Sequence, residues 1–316
     1  MKTQRGEKML TNVSLVKTGT NRSNLKEDVT KALGLIGFTF PPKVNTVIIK
    51  LNLCYYWNAS TGQTTDPQYV SAVIDHLREI YGDDIEIKLA EADASAMHTK
   101  YAFPILGYAK LAEQKKVKLF NLSEDTVEEA EIQVNGSKIA LKVPKSLLHS
   151  DLFINMPKLK VMRATHISCA MKNLFGAIAY PRKVTYHPKL AETIVAINKV
   201  LKPNLNLVDG LVALGRFPVK LNLIMAGTNA FAVDWTAAQI MGYKPSRIKF
   251  LKEAIKENLG NPRDIHVVGE RIENFSKDFP TENNFNARMK MGLQLSFIRG
   301  YSRLADDIIP PSIDDS

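Results

Sequence analysis

Basic residues that follow apolar, strand-like runs are the side chains of this sequence best placed to do chemistry. From Leu152 to Ala191, forty consecutive residues contain no Asp or Glu, yet they hold Lys158, Lys160, Arg163, Lys172, Arg182, Lys183 and Lys189, with His166 and His187. Lysine supplies a point charge and arginine a planar fork, so this stretch suits a phosphate- or carboxylate-bearing ligand. Within it, Lys172 and Asn173 stand in an apolar, small-residue context, AMKNLFG, which does not read as a solvated surface. Lys172 is expected either to contact a ligand or to snorkel and pair internally. Asn173 either binds as well or caps a turn. His166 and Cys169 lie three apart, which on a helix places them on one face and permits metal binding or a Cys–His nucleophile. A buried, small hydrophobic cysteine is the plainer alternative.

Further candidates lie outside the acid-free interval. Lys50 and Asn52 sit in VIIKLNL, where a charge is uncomfortable unless it points into a polar cleft. Asp209 in NLVDG and Asp234 in AVDW end or follow apolar runs, and a buried carboxylate must find a cation, a metal or hydrogen-bond donors. A hard divalent cation would take such oxygens, though no spacing demands one, so the metal question stays open. Asp66, before Pro67, reads as a helix N-cap. At Gly227 to Asn229 a strand passes through glycine into a helix, a place where backbone N–H groups can meet an anion. The phosphate-loop, dinucleotide, nucleophile-elbow and HExxH patterns are absent. The expected catalytic set is His166, Lys172, Asp209 and Asp234, which would move protons. The expected ligand-binding set is Lys50, Asn52, Lys158, Lys160, Asn173, His187 and Gly227.

These residues need elements to hold them. NVSLVK reads as a strand, and Leu25, Val29, Leu33 and Ile36 recur at helical spacing after Ser23, a candidate N-cap. VNTVIIKLNL, DIEIKLAEAD, DLFINMP, LNLVDG and LNLIMAG read as buried strands, alternating with helical stretches from Pro67 and from Thr228 or Asn229. That alternation predicts an α/β fold, a mostly parallel central sheet with helices on both faces. VKLFNL, EEAEIQV and KIALKV, with a turn at Asn135-Gly136, predict a small antiparallel insert over about 117–143. The expected organisation is a flexible start over 1–11, an α/β domain over 12–270, and a C-terminal helix and polar tail over 271–316. Phe285, Met289, Leu293, Phe297, Tyr301 and Leu304 give that last helix one apolar face, suited to packing on the domain or to a homodimer contact.

Composition bounds the rest. The chain has 316 residues, 42 Lys plus Arg against 32 Asp plus Glu, and a formal net charge of +10. Two cysteines exclude a disulfide scaffold, a four-cysteine zinc site and an iron–sulfur cluster held by this chain alone. No apolar run approaches 18 residues and the first ten lack a signal-peptide core, so a cytoplasmic location is expected.

The run DLFINMPKLKVMRATHISCAMKNLFG resembles the core motif of the DUF362 family, named for its unknown function. The family pattern is approximately N-x-P-K-x-K after a strand, then T-H-x-x-x-x-x-K-N-x-F-G. Further matches follow in order: Lys50 and Asn52, Thr65-Asp66-Pro67, Asp209-Gly210, and Gly227, Ala232, Asp234 and Gly242, so that the resemblance covers roughly 44–245. It implies a fold and a shared site more than an activity. Many members look like fusions to a ferredoxin-type module, and no such cysteine cluster occurs here. Three functions follow as expectations. One is an enzyme or binding protein for a small anionic molecule in a basic pocket. Another is a nucleic-acid binder using YPRKVTYHPK. The last is an accessory protein to a separate, ferredoxin-like iron–sulfur partner.

Overall fold

The computed structural model describes residues 10–20 and 22–281; the C-terminal apolar helix expected from Phe285 to Leu304 lies outside the described residues. In chain order the first elements are β1 (Thr11–Lys17), α1 (Leu25–Ile36), β2 (Thr46–Lys50), α2 (Pro67–Tyr81), β3 (Glu86–Glu91), α3 (Thr99–Ile105), α4 (Tyr108–Lys115) and β4 (Lys118–Asn121). Then come β5 (Val127–Val134), β6 (Ser137–Pro144), α5 (Lys145–Leu148), β7 (Leu152–Asn155), β8 (Lys158–Met162), β9 (His166–Ser168), α6 (Ala170–Gly176) and α7 (Leu190–Val200). The last are β10 (Leu205–Leu214), β11 (Pro218–Gly227), α8 (Ala230–Ile240), α9 (Lys249–Lys256), β12 (Ile265–Gly269) and α10 (Glu273–Ser276).

One large mixed sheet runs in the order β12-β1-β11-β10-β7-β2-β3-β4, with β8 and β9 continuing from β10. The pairs β10–β7, β7–β2, β2–β3 and β3–β4 are parallel, while β11 is antiparallel to both β1 and β10. The strands are apolar on both sides because both sides are covered. On β2, Ile48 faces a core layer shared with α6, α7, α8 and α9, whereas Val47 and Ile49 face the layer of α1, α2, α3 and α4. The expected α/β sheet with helices on both faces is therefore present. The insert is narrower than the sequence suggested. Lys118–Asn121 pairs with β3 in the main sheet, leaving β5 and β6 as the two-stranded antiparallel unit. The run VKLFNL is short and directly follows a helix, the usual grammar of a parallel edge strand.

Local chemistry explains the element ends. Asp66 caps α2 by accepting from the Gln68 N–H at 2.9 Å, with Pro67 at the first helical position. Asn229 caps α8 through the Ala232 N–H. Ser23 does not cap α1: the cap position is Asn24, which makes no side-chain cap bond, and the Ser23 hydroxyl instead donates to Asn24 Oδ1. Lys50 and Asn155, at the carboxyl ends of β2 and β7, fall in register with Ala90 of β3, with Asn206 near the start of β10 and with Gly227 of β11. Ligand sites of open α/β sheets lie beyond such a row.

Candidate functional site

Two lysines of the predicted set are neutralised inside the protein. Lys50 is buried beside Glu91, with Nζ 2.6 Å from Oε1, and also donates to the Leu51 carbonyl and Asn173 Oδ1. Burial pulls the Lys50 pKa down, and Glu91 opposes that pull. The Glu91 carboxylate further accepts the Leu53 and Ala92 N–H groups. Gly176 makes room for this pair, since a Cβ there would lie 3.4 Å from Lys50 Nζ. Lys158 donates to Asp209 Oδ2 at 2.8 Å, with both side chains wholly buried. Asp209 also accepts from the Asp66 and Leu211 N–H groups. Its oxygens are thus occupied by a cation and two backbone donors, the condition under which a buried carboxylate is tolerable.

Three other lysines keep their charge uncompensated. Among the described residues Lys160, Lys172 and Lys183 form no ion pair with a carboxylate. Lys160 is only 2% exposed and donates to the Gln63 carbonyl at 2.7 Å. Burial lowers its pKa, and the neighbouring Cys54 partly offsets the drop. Half-buried Lys172 lies over the Phe175 ring at 4.9 Å. Burial brings its pKa down to about 8, with the Lys160 and Lys50 charges adding to the fall and Cys54 opposing it. Lys183 donates to the Asp93 carbonyl, and burial brings it too to about 8. Exposed His187 titrates below the usual histidine range because of desolvation and the Lys172 charge. The Tyr55, Tyr56 and Trp57 side chains stand exposed immediately after Cys54.

An amide ladder joins this cluster to the sheet. Asn52 Nδ2 donates to Asn173 Oδ1 at 2.9 Å, Asn173 Nδ2 to Asn155 Oδ1 at 2.8 Å, and Asn155 Nδ2 to Asn206 Oδ1 at 2.8 Å. Asn206 Nδ2 then donates to the Gly227 carbonyl at 3.1 Å. Thr65 explains the TTDP segment, since its hydroxyl donates to the Met156 carbonyl and accepts the Asn52 N–H.

Lys50, Asn52, Lys158, Lys160, Lys172, Asn173 and Asp209 therefore belong to one neighbourhood, with His187 at its edge. Asp234 does not join them. It accepts the Met171 N–H at the start of α6 and lies against Cys169, and burial raises its carboxyl to about 7. Cys169 is buried there and its thiol pushed well up, which fits the small-hydrophobe reading. His166 is exposed at φ +67°, its ring 5.8 Å from that of Tyr243, and not on a helix face with Cys169. Gly227 serves close packing: a Cβ would come 2.8 Å from Val233 Cγ2. Among the described residues no group of three or more His, Cys, Asp and Glu gathers as metal ligands do.

Sequence reading missed Cys54, Glu91, Asn155, Asn206 and Lys183 as site residues. Asn155 shares one signal with Asn52, an amide close to the end of an apolar strand, whereas Asn206 stands at the start of one. Clefts among the described residues lie elsewhere, including one of 630 Å³ beside Lys26, Asp75, Arg78 and Glu79, and one of 310 Å³ between Tyr180, Tyr186 and the β5–β6 hairpin. Neither is lined by the motif lysines.

Comparison with known proteins bears on the family. A "Thylakoid-associated protein" of Synechocystis sp. is 29% identical over 136 residues, which span 39% of this chain and 42% of that protein. The structure of the lactate racemase apoprotein from Thermoanaerobacterium thermosaccharolyticum shares 14% identity at a TM-score of 0.38, covering 79% of this chain and 57% of that one. That likeness speaks to neither activity nor ligand. No helix among the described residues is long and apolar enough to cross a membrane. The model of the family described as "Domain of unknown function (DUF362)" matches residues 47–239, the stretch that carries the strand-end lysines and the amide ladder, and the chain belongs to that family.

Proposed function

We propose that this protein binds a small anionic molecule, bearing phosphate or carboxylate, at the strand ends around Lys160 and Lys172. One observation carries the reading: of five clustered lysines, Lys50 and Lys158 have carboxylate partners, whereas Lys160, Lys172 and Lys183 have none among the described residues. A buried ammonium without a counter-charge is costly, and an anion entering the site would offset that cost. The nucleic-acid alternative fits less well. A polyanion groove needs exposed cations, and Lys160 and Lys183 are buried.

Calorimetric titration with orthophosphate, pyrophosphate, acetate and succinate tests this. Binding of at least one is expected, and Lys172→Met should weaken it about tenfold or more, the worth of one charge-assisted hydrogen bond. Affinity should fade as pH rises through about 8, where Lys172 and Lys183 lose their protons. No binding by any of these anions, or a Lys172→Met variant with unchanged affinity, removes the reading.

A further inference from the structure

The amide ladder has a direction, and its last atom is a hydrogen-bond acceptor with nothing to accept. A side-chain amide has one accepting end and one donating end. Its orientation is settled when one end faces a group that can only accept. The Gly227 carbonyl fixes Asn206 with Nδ2 toward it. Asn155 is fixed twice, because its Nδ2 faces the Ala170 carbonyl at 3.1 Å as well as Asn206 Oδ1. Asn173 is likewise fixed by the Leu51 carbonyl at 3.1 Å, so its Oδ1 must point to Asn52 and Lys50. Asn52 therefore turns Nδ2 inward, and its Oδ1 is left facing away from the ladder. That oxygen is shielded from solvent and has no donor within hydrogen-bond distance.

Asn52 is two residues from Cys54, whose thiol donates to Gln63 Oε1 while the Gln63 carbonyl accepts from Lys160, and its amide partner Asn173 follows Lys172 in the chain and is shared with Lys50. The unmet acceptor thus belongs to the neighbourhood of the uncompensated lysines. Resting on the anion-binding reading above, we infer that the ligand is an anion carrying a hydroxyl close to its charged group, the charge held by Lys160 and Lys172 and the hydroxyl donating to Asn52 Oδ1. The site then prefers a hydroxylated anion over its plain counterpart, because the plain one leaves a shielded acceptor unpaired. The half-buried Asn52 is a specificity-determining residue rather than part of the charge-binding set. Its orientation is set by Asn173, which the Leu51 carbonyl fixes, and the ladder continues through buried Asn155 and Asn206 to Gly227 on β11, three strands from β2.

Paired titrations of the full chain test this: glycolate against acetate, 2-hydroxybutyrate against butyrate, and 2-hydroxyethyl phosphate against ethyl phosphate. The carboxylate and phosphate pairs distinguish the two sources of charge. In at least one pair the hydroxylated member should bind about tenfold more tightly. Asn52→Ala should bring the two members of that pair to about equal affinity, because the acceptor that reads the hydroxyl is gone. In the wild-type chain, independently of any variant, the Asn52 side-chain carbonyl carbon should shift in NMR spectra with the hydroxylated member and not with the plain one. Equal affinity within every pair overturns the inference, with water left as the donor, while anion binding stands. A preference that survives Asn52→Ala overturns it too, since another group then reads the hydroxyl. If none of the six anions binds, this inference fails, and the anion reading fails with it when orthophosphate, pyrophosphate and succinate do not bind either.

Discussion

At the scale of single residues, the lysines divide by partner rather than by motif. Lys158 and Asp209 are wholly buried and bonded to each other, so each is tolerable only while the other is charged. Asp209→Asn is expected to cost about 3–5 kcal/mol, the usual penalty for stranding one member of a buried pair. A Lys158→Met/Asp209→Leu double variant should lose less than the sum of the two single changes. Urea denaturation of the wild type, Asp209→Asn, Lys158→Met, Asp209→Leu and the double variant measures both numbers, and additive losses would show that the pair is not coupled. The residue scale is also where the sequence was hardest to read. Lys50, Asp209 and Asp66 were recognisable as charges that needed a reason. Glu91 as the reason for Lys50 was not, because the two lie 41 positions apart in the chain and meet only through the β2–β3 pairing.

At the scale of elements, the loop from β2 to α2 decides what the lysines see. Gln63 gives Lys160 its carbonyl partner, and the residue before it, Gly62, has φ +72°. A Cβ on Gly62 would lie 2.7 Å from the Ala213 backbone in β10, so substitution meets both backbone strain and a collision with a strand that cannot move aside. Gly136 in the β5–β6 turn also has positive φ, +79°, but open space around it. Gly136→Ala is expected to cost only about 1–2 kcal/mol, from conformation alone. Gly62→Ala should cost clearly more and should weaken anion binding, which Gly136→Ala should not. Thermal denaturation alongside the orthophosphate titration separates the two; equal losses would mean that the contact with β10 relaxes freely. Most elements were legible in the sequence because they rest on local periodicity and caps, as at Asp66 and Asn229. Lys118–Asn121 was not, since a four-residue strand carries too little pattern to say which sheet it joins.

At the scale of the molecule, the net charge of +10 has a local consequence. Lys172 and Lys183 titrate near 8 in the folded protein, against an ordinary lysine value of 10.5. Between those values the unfolded chain binds more protons than the folded one, so stability should rise with pH from about 8 to about 10. The contribution opposing folding is fully present below about 8 and relieved above. Urea midpoints at pH 7.5, 8.5 and 9.5 measure the trend. Lys172→Met should flatten it, and a wild-type profile that falls over this range would contradict the assignment of these two lysines as buried and uncompensated. Bound anion should flatten it as well, by holding the protons in place.

The sequence by itself determined the alternation of buried strands and helices, the family, and the stretch in which positive charge goes unanswered along the chain. Those follow from local rules: periodicity, capping, and the count of charges between Leu152 and Ala191. Only the tertiary structure decided which charges remain unanswered in space. Coulomb attraction and hydrogen bonds depend on ångströms, not on chain separation. Strand pairing brings Glu91 to Lys50 and Asp209 to Lys158, while Asp234 is taken up by the start of α6. The same pairing lines up Lys50, Asn155, Asn206 and Gly227 in one row, and Asn173 of α6, set against that row and the Leu51 carbonyl, orients the Asn52 amide.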